Sequence, residues 1–62
     1  TMNFKVMVQT GTIQVEVSDG SPVSFYDLNG KLIKSNSTIC SSLSAGVYVV
    51  KVGVNAVKVM VP

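Results

Sequence analysis

The sequence contains no histidine, no tryptophan and no arginine, and only one cysteine in 62 residues. Histidine is the side chain most used for general acid–base work at neutral pH, so that route to catalysis is closed. A structural zinc site likewise has no imidazole to complete it. One cysteine, Cys40, cannot form an internal disulfide, and nothing stands by to activate its thiol, so it reads as inert core. Without arginine there is no bidentate contact to phosphate or guanine. The five lysines, at 5, 31, 34, 51 and 58, are scattered rather than clustered, which argues against a nucleic-acid face. Their simpler role is to solubilise strands and blunt sheet edges.

Other absences narrow the field further. The apolar run after Gly46 is cut by Lys51, far short of the ~20 residues a membrane-spanning helix needs. No Gly-x-Ser-x-Gly elbow occurs, and Gly20, Gly30 and Gly46 are single turn glycines rather than a phosphate-binding loop. Paired carboxylates would have to come from Glu16, Asp19 and Asp27. Two of these lie in or beside turns, where an acidic side chain caps backbone. A sugar-binding face wants exposed aromatics, whereas Phe4, Phe25, Tyr26 and Tyr48 alternate as core or core-edge positions. Asn36-Ser37-Thr38 fits an N-glycosylation pattern, but so short a pattern is weak. The expectation is a domain with no catalytic residue, no cofactor and no metal.

A chain of this size is one domain, residues 1–62, and buries only about 60% of the surface it exposes when unfolded. Lacking staples, it must draw stability from dense Val/Ile packing, from a second copy, or from a larger parent. Thr1-Met2 carries no basic leader and no secretory apolar stretch, so the chain reads as an excised portion of a larger protein.

What is present is alternation. The strongest strand signal is Val47-Tyr48-Val49-Val50-Lys51-Val52, entered through the small-residue turn Ser44-Ala45-Gly46 and closed by Gly53. Phe4, Val6 and Val8 share one face of an earlier segment, which Thr10-Gly11 ends. Ile13, Val15 and Val17 then point inward while Thr12, Gln14 and Glu16 point out, a period of two. Ser18-Asp19-Gly20-Ser21-Pro22 is a turn, and Pro22 can only start a strand. Val23 to Asp27 and Lys31 to Lys34 flank Leu28-Asn29-Gly30, a hairpin signal with two geometries open. Either Asn29-Gly30 is a two-residue type I′ turn, or Leu28-Asn29 is a type I turn with Gly30 as the left-handed bulge residue. The second brings Asp27 near Lys31. Thr38 to Ser41 is a short, weak strand, and Leu43 is placed to plug the end of the core.

For the C-terminal hairpin, Val54-Asn55 is taken as the two-residue loop. Val52 then faces Val57, Val50 faces Val59 and Tyr48 faces Val61 on a buried side, with Lys51 opposite Lys58 on the wetter one. A β-branched Val suits a primed turn poorly, which leaves a longer loop open.

Three stretches carry a family resemblance. Val23-Ser24-Phe25-Tyr26-Asp27-Leu28-Asn29-Gly30-Lys31-Leu32-Ile33 is followed by Leu43-Ser44-Ala45-Gly46-Val47-Tyr48-Val49-Val50-Lys51-Val52, then by Lys58-Val59-Met60-Val61. Together they resemble the C-terminal sorting domain of the type IX (Por) secretion system of Bacteroidetes, over roughly Ile13 to Pro62. The proline-rich lead common in that family is missing, and Ser44 stands where proline is usual.

The unbroken alternation and closely spaced turn signals predict an all-β fold of roughly six or seven short antiparallel strands in two layers, and the resemblance implies that it is a small immunoglobulin-like β-sandwich. The resemblance also implies a secreted or outer-cell-surface location and a sorting or surface-attachment role with no activity of its own. Gly46, Tyr48 and Lys58 match the family positions for recognition. The implied partners are secretion machinery proteins and an upstream cargo domain of the same parent chain. A second reading is an accessory β-sandwich of a secreted enzyme or adhesin, which packs on a neighbouring domain, adheres or binds a glycan. In either case an unpaired edge strand could template an edge-strand homodimer.

Overall fold

Each segment with period-two alternation becomes a strand in the computed structural model, which describes residues 3–62. Thr1 and Met2, on which the expectation of an excised piece rested, lie outside the described residues. In chain order the strands are β1 (Phe4–Gln9), β2 (Thr12–Val17), β3 (Val23–Asp27), β4 (Leu32–Ser35), β5 (Ile39–Cys40), β6 (Gly46–Val52) and β7 (Asn55–Val61). No helix occurs among the described residues. Two antiparallel sheets form, β1-β2-β5 and β4-β3-β6-β7, and pack as a sandwich.

The core lies where the inward sets of both sheets meet. Ile13, Val15 and Cys40 come from the first sheet, and Val23, Phe25, Val50, Val52 and Val61 from the second. All eight are buried, and Phe4, Val6, Val8, Val17, Leu43, Tyr48 and Val59 pack around them partly covered. β6 is central to the larger sheet, between β3 and β7, so its alternation fixes the layer: Val50 and Val52 inward, Lys51 outward. Leu43 packs partly buried against the core, and its N–H donates to Gly11 C=O at 3.0 Å.

The β3–β4 hairpin takes the second of the two geometries. Gly30 N–H donates to Asp27 C=O at 3.0 Å, which makes Leu28-Asn29 the centre of the turn, and Gly30 has φ +83°. Asp27 N–H then donates to Lys31 C=O at 2.9 Å across the bulge. Asp27 meets Lys31 through backbone: its Oδ1 accepts the N–H groups of Asn29 and Lys31 at 2.9 and 2.8 Å.

The C-terminal hairpin differs from the expected register by two residues. Val52 pairs with Asn55, Val50 with Val57, Tyr48 with Val59 and Gly46 with Val61. The loop is Gly53-Val54, not Val54-Asn55, and Gly53 has φ +59° while Val54 keeps a negative φ. This is the type II′ pattern, with glycine at the first central position, and it spares Val54 the strain of the left-handed region. A shift of two preserves the faces, so the inward set is unchanged. It also separates the lysines: Lys51 now opposes Ala56, and Lys58 opposes Val49. Two burial expectations need correction as well. Tyr48, Val57 and Val59 are half-buried rather than fully buried. Tyr26 leaves the core altogether, since alternation from the buried Phe25 puts it on the outer face between Leu32 and Val49.

Candidate functional site

Gly46, Tyr48 and Lys58 are brought to one hairpin but not to one face. Gly46 opens β6 with φ +155° and pairs with Val61. A Cβ there would meet nothing within 4 Å, so the demand for glycine is conformational rather than steric. Tyr48, two residues on, turns its ring toward the core and donates its hydroxyl to Ser44 C=O at 2.7 Å. A tyrosine near the start of the sixth strand, bonded back to the backbone four residues upstream, is the tyrosine corner of immunoglobulin-like sandwiches. It ties the Ser42–Ala45 turn to β6. Two of the three positions therefore have fold-building roles.

Lys58 is different. It stands exposed on the outer face of the larger sheet, opposite Val49. Register fills in its surroundings: a row Leu32, Tyr26, Val49, Lys58 crosses all four strands, with Val47 and Met60 in the next row and Ser24, Lys51 and Ala56 on the other side. Met60 is 72% exposed and Leu32 50%. The face carries two lysines, a band of apolar side chains and no carboxylate. Sequence reasoning assigned Lys58 to the wet side but missed this band, because Tyr26 was counted with the core. The signal was the parity of Tyr26 against Phe25.

Two of the remaining ionisable groups, Asp19 and Asp27, are held by local hydrogen bonds. Asp19 Oδ1 accepts the Ser21 hydroxyl at 2.6 Å and the Ser21 N–H at 3.0 Å, and these bonds hold its carboxyl below the usual value. Glu16 sits opposite Lys5 on the β1–β2 pair. Cys40 is buried, and burial pushes its thiol up, outweighing the nearby Lys34 charge. No group of three metal-ligating side chains exists among the described residues. Shallow depressions lie among the described residues, two of them near the strand ends and the β1–β2 pair. One, lined by Val17, Pro22, Asn36 and Thr38 among others, has no ionisable lining; the other lies between Lys5 and Glu16. No helix is long and apolar enough to cross a membrane among the described residues.

Neither a curated protein nor a solved structure matches the chain. Its residues 8–61 do match the family described as "Secretion system C-terminal sorting domain". The match spans β2 to β7, takes in the Asp27–Gly30 turn and the tyrosine corner, and includes Gly46, Tyr48 and Lys58. The chain belongs to the C-terminal sorting domains of the type IX secretion system, which mark proteins of Bacteroidetes for the cell surface or the extracellular space.

Proposed function

We propose that this domain forms the C-terminal part of a larger secreted protein and is read by the secretion machinery through its β6–β7 hairpin. In this reading Lys58 is the side chain presented, while Gly46 and Tyr48 hold the hairpin in the shape that presents it. The supporting observation is the placement of Lys58, exposed on a face without a carboxylate, so its ammonium group has no acidic neighbour there. Asp19 and Asp27 serve as turn caps, which supports a tail with no activity of its own, the cargo upstream carrying any activity.

The test fuses a reporter ahead of the domain in a cell with a type IX system and follows its arrival at the surface. Lys58→Ala removes the charge at an exposed position, where stability changes are usually within about 0.5 kcal/mol. Folded but undelivered Lys58→Ala supports the reading. Normal delivery of a folded variant lacking residues 58–62 would reduce the tail to a structural module.

A further inference from the structure

The larger sheet ends in two edges that differ in how they are protected. β4 is four residues long, and its register jumps from Phe25–Lys34 to Tyr26–Leu32, leaving Ile33 as an extra, bulged residue. Lys31 and Lys34 flank it. Short length, a bulge and lysines are the devices by which proteins keep an edge from pairing. β7 has none of the first two: it runs seven residues against β6 with no register shift and no proline.

Hydrogen-bond parity identifies what that edge offers. Gly53 N–H donates to Pro22 C=O at 2.9 Å, so Lys51 and Val49, two and four residues before it, also aim their backbone at β3. The alternate residues Val52, Val50, Tyr48 and Gly46 aim at β7, where they meet Asn55, Val57, Val59 and Val61. The N–H and C=O groups of Ala56, Lys58 and Met60 therefore point away from the sheet. Below them, β1 lies beside β7, and Phe4, Val6, Val8 and Val59 are only partly covered. A strand laid along β7 would satisfy the outward backbone and bring every second side chain over these residues.

We propose that the open edge of β7 is a strand acceptor. An extended segment of another protein, with an acidic side chain flanked by apolar ones, pairs with the outward backbone of Ala56, Lys58 and Met60. The acidic residue is specified by Lys58, which has no carboxylate on its face. A second copy fits worse. Antiparallel pairing of two β7 edges centred on this stretch sets Lys58 opposite Lys58 of the other copy, and like charges directly opposite are destabilising. The inference rests on the sorting reading insofar as the segment belongs to the secretion machinery.

Proline separates edge from fold. At Met60 or Ala56 it removes an N–H that faces solvent, a placement edge strands tolerate, whereas at Val57 or Val59 it breaks the bond to β6. With the reporter fusion as probe, folded Met60→Pro or Ala56→Pro should lower surface delivery at least tenfold. Lys58→Glu, which leaves the backbone intact, should do the same, and Lys58→Arg should deliver normally. Failure of the unaltered tail to deliver sinks the sorting reading itself. With the unaltered tail delivered, normal delivery of a folded proline variant, or of Lys58→Glu should neither proline variant fold, overturns the strand acceptor alone. Sedimentation of the purified domain should show a monomer; a dimer that Met60→Pro dissociates would assign the edge to a second copy and overturn the acidic segment.

Discussion

Tyr48→Phe deletes one hydroxyl and nothing else, which makes it the sharpest probe of the tyrosine corner. The ring stays packed against the core, so the loss is the 2.7 Å bond to Ser44 C=O. A neutral hydrogen bond contributes about 0.5–1.5 kcal/mol net. Ser44 is exposed, so water can take over its carbonyl, and the cost falls toward the lower half of that range, about 0.5–1 kcal/mol. At ~0.05–0.15 kcal/mol per residue the whole domain is stable by roughly 3–9 kcal/mol. For a domain this small, ~1 kcal/mol lowers Tm by about 4–8 °C. Tyr48→Phe should therefore melt about 2–8 °C below the parent in a calorimetric or circular-dichroism scan. Tyr48→Ala, which also strips a half-buried ring, should lose at least about 2 kcal/mol. A Tyr48→Phe variant that melts with the parent refutes the corner as a stabilising contact. If it melts lower but is delivered in proportion to its folded fraction, Tyr48 acts through the fold rather than by direct recognition.

Three further outcomes follow from named contacts. Val50→Ala, at a fully buried site between Phe25 and Val57, should cost about 2–3 kcal/mol in a urea titration, from lost burial of ~0.8 kcal/mol per carbon plus the cavity left behind. Gly30→Ala and Gly46→Ala should each cost about 1 kcal/mol, since both glycines hold positive φ with open space where a Cβ would go; Gly30→Asn should recover most of that loss, because asparagine tolerates the left-handed region. Asp19→Asn should flatten the acid limb of stability. The Ser21 bonds lower the folded carboxyl, so its contribution is present above the unfolded value of about 3.9 and lost as pH falls through the lower folded value. An unchanged acid limb would show that those bonds do not couple to folding.

Strand positions were legible because period-two alternation is a direct consequence of pleat geometry and one wet face. Ile13 against Gln14, and Val50 against Lys51, decide their strands without tertiary information. Register was less legible. Alternation fixes a strand's face but is blind to a slip of two, and the C-terminal hairpin slipped by two because Gly53 suits the first position of a type II′ loop better than Val54 does. Sheet membership was not readable at all: that β5 crosses back to pair with β2 depends on contacts no local pattern encodes. The same limit hid the outer apolar band, which exists only once β4, β3, β6 and β7 stand side by side. Gly46 and Tyr48 were visible as motif residues, but their role as a corner needed the Ser44 carbonyl in place.

Alternation also divides the labour within β7. Val57, Val59 and Val61 give the fold both their side chains and their inward backbone, and Val61 is 1% exposed at the edge of the core. Ala56, Lys58 and Met60 give it neither: their side chains lie in solvent and their backbone aims outward. Deleting the strand removes both sets together, so a truncated tail that fails to reach the surface cannot distinguish an unfolded domain from an unread one. Substitutions at 56, 58 and 60 can. Exposed side-chain changes usually shift stability by less than about 0.5 kcal/mol, so a melting curve is nearly blind to them. Any large effect they have must come from what meets the edge, and surface delivery is where that effect would be measured.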